Sequence, residues 1–186
     1  DCGDCRQFCY KTVATNVIGL VLERVRGDSM VRLLSRHVWS RLPMRHDAVI
    51  VVDRSGFPYV GAGMSACARD LLTFGQMMIE GGACNGQQIV PEAWIHDTQA
   101  GDLTSKPEFA AGQYGGLLPN WHYRNQVWCT DRAGVMLAIG IHGQLIYMNT
   151  RAQTVVVKFS SQPTAVDIPS TFAGVLAADA IAESLA

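Results

Sequence analysis

Val135-Met136-Leu137-Ala138-Ile139-Gly140-Ile141-His142-Gly143-Gln144-Leu145-Ile146-Tyr147-Met148 is the stretch from which the fold is read. Val135, Leu137, Ile139 and Ile141 recur at every second position, the period of a strand with one buried face. His142-Gly143-Gln144 is a hairpin-length link, and residues 145–148 supply the returning strand. Residues 149–153 read as the next turn and the β-branched run 154–159 as a third strand. The Ala-rich end, from about 169 to 185, reads as a helix that covers one face of this antiparallel meander.

Upstream of Trp121 the period is helical. Residues 13–26 place Val17, Ile18, Val21 and Val25 on one face, widened by Leu20 and Leu22, and Gly27 suits the C-terminal end. Asp28 is placed to cap a second helix that carries Val31, Leu34 and Val38 inward and stops before Pro43. Residues 48–52 are a short strand or packed loop, and 54–63 a turn-rich loop. Ser65 is the expected cap of a third helix to about Met78, ended by Gly81-Gly82. Pro91-Glu92 opens a fourth helix, and 101–116 reads as a loop. The expected class is α+β in one domain: a helical region over 1–120, then antiparallel strands and a helix over 121–186. There are no internal repeats.

Composition narrows the function. The 186 residues carry 15 basic and 16 acidic side chains, a net charge of -1, which gives no footprint for phosphate backbones and argues against nucleic acid. At 48% hydrophobic the chain can bury a core, but its longest apolar runs fall far short of the roughly 20 residues of a membrane span. The chain opens on Asp1-Cys2-Gly3-Asp4, so an upstream part is expected, and localisation is not legible. Cys2, Cys5 and Cys9 are spaced C-x2-C-x3-C, while Cys67, Cys84 and Cys129 are scattered. The five histidines supply no matching ligand pair, so the reading is free, mostly buried thiols with no metal and no cofactor.

Local strings are more specific. Gly3-Asp4-x-x-Phe8-x-Tyr10-x-Thr12 runs directly into Val17-Ile18-Gly19-x-Val21-Leu22-Glu23-x-Val25-x-Gly27. Further on stand Gly61-x-Gly63-x-Ser65-x-x-Ala68-Arg69-Asp70-Leu71, Gly81-Gly82, Trp128-Cys129-Thr130 and Ile139-Gly140-Ile141-His142-Gly143-Gln144. In this order they resemble the serine β-lactamase-like hydrolases (class C β-lactamases, DD-peptidases, esterases), and most closely the 6-aminohexanoate-dimer hydrolases. The resemblance covers nearly the whole chain and implies part of the β-lactamase/transpeptidase-like fold.

In that family the nucleophile is the Ser of an S-x-x-K motif. No serine here has Lys three residues on, and the lysines are Lys11, Lys106 and Lys158. The resemblance therefore implies a nucleophile upstream, with this chain as the second half of an active site. Tyr10 matches the family's acid/base Tyr. A phenol titrates at about 10 in water, so it serves as a base only beside a cation such as the upstream Lys. Read alone, Tyr10 is a core aromatic with its hydroxyl satisfied, and it is the resemblance that favours the catalytic reading. Thr12 replaces the family's Asn or Ser, which weighs against β-lactam recognition more than against general hydrolase chemistry. Ala138-Ile139-Gly140 stands where penicillin-recognising relatives carry K-T-G. What survives is Gly140, which lets substrate approach, and the backbone N–H of Ile141, an implied oxyanion donor.

His142 is a loop-organising residue or, less simply, a catalytic one. Trp128 either closes over substrate or packs in the core. Gly61 falls in a loop that faces substrate in the family. Arg69 and Asp70 read as structural, an acid being favourable near a helix start. The implied partner is a small amide or ester. The rival reading is a non-catalytic binding or scaffold relative, which an upstream sequence without S-x-x-K would favour.

Overall fold

A computed structural model describes residues 6–185. The chain divides into two compact units, Tyr10–Thr73 and the remainder.

The first unit opens with α1 (Thr12–Arg26), closed by Gly27 at φ 62°, the left-handed geometry that the sequence pointed to. Its interior differs from expectation. Val17, Ile18, Leu20, Val21, Leu22 and Val25 are exposed, and Gly19 is the buried position. The loop before residue 61 approaches the helix there: a Cβ on Gly19 would lie 2.6 Å from Val60 Cγ2. The absence of a side chain, not an apolar stripe, thus sets this contact. Helix α2 (Met30–His37) is capped by Ser29, whose hydroxyl accepts from the Arg32 N–H, rather than by Asp28. Asp28 instead accepts from the Ser29 N–H. Leu33 is its buried residue; of the expected inward set Leu34 and Val38 are half-buried and Val31 is exposed. Strands β1 (Val49–Ile50) and β2 (Met64–Ser65) pair antiparallel, so Ser65 is a strand residue and not a cap. Helix α3 (Ala68–Ile79) starts from the Cys67 carbonyl, which accepts from the Asp70 and Leu71 N–H groups.

In the second unit, α3 ends at Gly81-Gly82, both left-handed (φ 70° and 84°), as read from sequence. The small hairpin β3 (Ala83–Cys84) and β4 (Gln87–Gln88) leads to α4 (Glu92–Ala100). The segment 101–116, expected to be a loop, contains α5 (Ser105–Ala111), with Phe109 fully buried. The sheet is larger than the expected three-stranded meander. Among the described residues β5 (His122–Arg124), β6 (Val127–Cys129), β7 (Val135–Ile139), β8 (Leu145–Asn149) and β9 (Thr154–Lys158) form one antiparallel sheet in sequential order. Helix α6 (Ile168–Leu185) lays Val175, Ala178 and Ala182 against Leu137, Leu145 and Tyr147 in the main core cluster, as expected for the terminal helix. The mixed helix and antiparallel-sheet class is therefore the observed one.

Cys67, Cys84 and Cys129 are free, but Cys9 is disulfide-bonded, which corrects the free-thiol reading at that position. Cys2 and Cys5 lie outside the described residues. No helix among the described residues is long and apolar enough to cross a membrane.

Candidate active-site elements

Ile141 marks the place where the sheet changes from paired to open. Along β7 the backbone N–H groups alternate in direction. Gly140 donates to the Gln144 carbonyl at 2.9 Å, toward β8. Gly140 is extended (φ -107°, ψ 164°), so the next N–H, that of Ile141, points away from β8 to the side where β6 lies. Strand β6 does not reach that far. Its register pairs Trp128 with Leu137 and Cys129 with Met136, and it begins at Val127. The Ile141 N–H therefore faces an open edge and has no acceptor among the described residues.

The expected strand also stops earlier than the alternation implied. Residues Ile141–Gly143 form a 3-10 turn in which His142 is left-handed (φ 57°). His142 is held there on three sides. Its N–H donates to the Ala165 carbonyl (2.9 Å), its Nδ1–H to the Gln162 carbonyl (2.8 Å), and its own carbonyl accepts from the Gln162 N–H (3.3 Å). The Gln144 amide clamps Ser160 from both ends, accepting from its N–H at 3.1 Å and donating to its carbonyl. Lys158 Nζ donates to the Gly143 carbonyl at 2.8 Å. His142 is thus a loop organiser. Lys158 and Gln162, which hold the His142-Gly143 segment after Ile141, were not singled out by sequence because such contacts have no local signature.

Trp128 is 8% exposed and sits in an aromatic cluster, edge-on to Phe8, Phe109, Tyr114 and Tyr123 with centroids 5.0–6.1 Å apart. Of its two sequence readings the structure places it in the core position. Phe8 is anchored in the same cluster by its N–H to the Glu108 carbonyl (2.9 Å). Nearby, the Thr98 carbonyl accepts from His122 Nε2 and from Cys129 Sγ, both at 3.1 Å. Burial pushes the Cys129 thiol up to about 12, so it holds its proton at neutral pH. A cavity of about 960 Å³ opens at the β6–β7 turn and is lined by Lys106, Trp121, His122 and Arg132 among others. None of the sequence-predicted site residues lines it.

In the first unit, Tyr10 is 38% exposed and precedes α1. Thr12 is the first residue of that helix and lies against Gly61. A Cβ at Gly61 would fall 2.5 Å from Thr12 Cγ2 and 2.9 Å from its carbonyl oxygen, and the Gly61 N–H donates to Asn16 Oδ1 at 3.0 Å. The structure thus brings Thr12 and Gly61 together and adds Asn16. The glycine is required by the close approach of the α1 backbone, so a larger side chain here would meet Thr12 before it met any ligand.

The Beta-lactamase family profile matches residues 6–179. The chain belongs to the Beta-lactamase family. It is 36% identical over 162 residues to a 6-aminohexanoate-dimer hydrolase of Paenarthrobacter ureafaciens, an alignment covering 87% of this chain and 41% of that protein. A solved Bacillus anthracis structure, provisionally named a 6-aminohexanoate-dimer hydrolase, superposes with a TM-score of 0.82 at 29% identity, over 96% of this chain and 44% of that one. EstCE1, a hydrolase with promiscuous acyltransferase activity, shares the fold at TM-score 0.62 and 17% identity, over 84% of this chain and 51% of its own. The chain thus spans about two fifths of the length of its nearer relatives. The family relatives are hydrolases, and the resemblance read from the local strings is the one the family match supports.

Proposed function

We propose that this chain supplies the second half of the active site of a serine hydrolase that cleaves a linear amide of the 6-aminohexanoate-dimer kind, or an ester, through an acyl-enzyme. The observation that carries the reading is the Ile141 N–H, which has no acceptor among the described residues and lies at an open strand edge beside Gly140. Support comes also from the 36% identity to a 6-aminohexanoate-dimer hydrolase, of which the chain spans 41%.

In this reading an upstream Ser attacks the carbonyl carbon, and an upstream Lys with Tyr10 takes the Ser proton and delivers it to the leaving amine or alcohol. The carbonyl oxygen gains negative charge and is held by two N–H groups, one from Ile141 and one from the nucleophile. Such donors act where charge develops, and each is worth roughly 2.7–4 kcal/mol. Water then attacks the acyl-enzyme, with the same proton relay run in reverse, and frees the acid. Thr12, packed against Gly61, orients the Lys or the substrate carbonyl, and Gly140 lets the substrate chain approach the strand edge. Residues 1–120 and 121–186 would belong to one catalytic domain.

The test is Tyr10→Phe in the full-length protein, assayed on 6-aminohexanoate dimer and a p-nitrophenyl ester. The expected result is a loss of about 10²–10⁴-fold in kcat with little change in KM, the range of a lost acid/base. Unchanged kcat on both substrates would reject the assignment.

A further inference from the structure

His46 stands more than twenty residues before Cys67 and Asp70, and none of the three has a role in the reading of the chain as a hydrolase. The fold of the first unit gathers them. Cys67 and Asp70 sit one turn apart at the start of α3, and the spacing would ordinarily let Asp70 fold back onto its own helix end. Instead Asp70, 1% exposed, reaches the loop before β1. Its Oδ1 accepts from the Arg45 N–H at 2.8 Å and its Oδ2 from the His46 N–H at 3.1 Å. The His46 carbonyl is held in turn by the Trp39 indole N–H at 3.0 Å. These bonds set the His46 ring over the helix start, with Nδ1 3.3 Å from Asp70 Oδ2. The imidazole nitrogen, the Cys67 sulfur and the Asp70 oxygen all lie within 4.8 Å of one another.

We infer that these three side chains form a zinc-class divalent cation site. The donor chemistry selects the ion. One imidazole nitrogen, one thiolate sulfur and one carboxylate oxygen suit a borderline cation such as Zn²⁺ or Co²⁺, whereas Mg²⁺ and Ca²⁺ want oxygen alone. The spacing agrees as well. With metal–ligand bonds of about 2.0–2.3 Å, a tetrahedron has nitrogen–oxygen and nitrogen–sulfur edges of roughly 3.4–3.6 Å. The His46–Asp70 separation is already of that size, and a small side-chain movement brings in Cys67, which is half-buried and free. The backbone N–H groups on Asp70 are the outer partners that hold a ligating carboxylate in place. His46 is 61% exposed, so the ion has an entry side and a fourth position for water.

Binding displaces the Cys67 thiol proton to solvent, while His46 coordinates through Nδ1 as the neutral imidazole that carries its N–H at Nε2. The dication then meets two anionic ligands and one neutral one.

The experiment is titration of the full-length protein with Co²⁺, followed by the near-ultraviolet thiolate-to-cobalt band and the visible bands of tetrahedral Co²⁺. One equivalent is expected to bind, Zn²⁺ to bleach the spectrum, and Mg²⁺ to do nothing. Cys67→Ser abolishes the thiolate band and Cys84→Ser leaves it intact. His46→Ala weakens binding by more than the roughly 10–100-fold that loss of an outer partner costs. Cys67 and His46 are not fully buried, so these variants keep the fold, as a circular dichroism spectrum would check. Absence of a thiolate band, or a band that survives Cys67→Ser, overturns the site. Neither result touches the hydrolase reading, which uses none of the three residues.

Discussion

Ile141→Pro removes one backbone N–H and almost nothing else that the fold uses. That N–H has no acceptor among the described residues, so its loss breaks no internal hydrogen bond. The geometry also accepts proline. Gly140, at φ -107° and ψ 164°, already has the extended conformation that Pro imposes on its predecessor. Ile141 opens a 3-10 turn, whose φ of about -50 to -70° matches the ring's about -65°. The Ile side chain is 58% exposed, so little apolar contact is lost. The expected change in stability is within about 0.5 kcal/mol, that of an ordinary surface substitution. The expected change in kcat is about 10²–10³-fold, that of one lost oxyanion donor. Gly140→Pro is the contrast. It deletes the 2.9 Å bond to the Gln144 carbonyl and brings a Cβ to 2.9 Å from Gln144 Cβ, so it destabilises by about 1–3 kcal/mol or more. The assay is thermal unfolding together with kcat and KM in the full-length protein. If Ile141→Pro keeps its stability and also its kcat, this N–H is no oxyanion donor. If stability collapses, the N–H was serving the fold and the open-edge argument fails.

Two further outcomes are expected. Gly61→Ala forces a Cβ to 2.5 Å from Thr12 Cγ2 and 2.9 Å from its carbonyl, and should cost about 1–3 kcal/mol by chemical denaturation. Adding Thr12→Ser removes the methyl contact but not the carbonyl one, so it should restore only part. The Tyr147 hydroxyl, wholly buried, donates to Asp179 Oδ1 at 2.8 Å, and Arg132 pairs with Oδ2 at 2.6 Å. Tyr147→Phe should cost about 1.5–3 kcal/mol, the value of a hydrogen bond to a charged group. Burial, with the Asp179 contacts, pushes this phenol from 10 up to about 12. The folded state thus holds a proton that the unfolded chain releases sooner. The stabilisation is complete below about pH 10 and is lost as pH rises toward about 12. Stability measured across that window should fall more steeply in the wild type than in Tyr147→Phe, and parallel curves would contradict the sign.

The parts of the fold that were legible had local signals strong enough to stand alone. The alternation from Val135 and the β-branched run after Thr154 marked three strands. Gly27 and Gly81-Gly82 marked helix ends because only left-handed backbone closes a helix in that way. Strands β5 and β6 were missed because each is three residues long, too short for a period. Their two-residue turn, Asn125-Gln126, takes positive φ at both positions without the usual glycine. Helix α5 hid among glycines for the same reason of length, and its buried Phe109 is a tertiary fact. The stripe on α1 was real as a pattern, but periodicity says that a face exists and not what covers it.

The site divides along the same line. Tyr10, Thr12, Gly61, Gly140, Ile141, His142 and Trp128 could be named as candidates from ordered strings that resemble those of a family. Their circumstances could not. Where β6 begins decides that the Ile141 N–H has no acceptor among the described residues, where α1 passes decides that Gly61 must lack a side chain, and the bonds Asp70 makes decide that His46 meets Cys67. Residues near in sequence reveal secondary structure and motif. Which donor is left unpaired, which glycine is crowded and which ligands converge depend on residues tens of positions away, and only packing sets those.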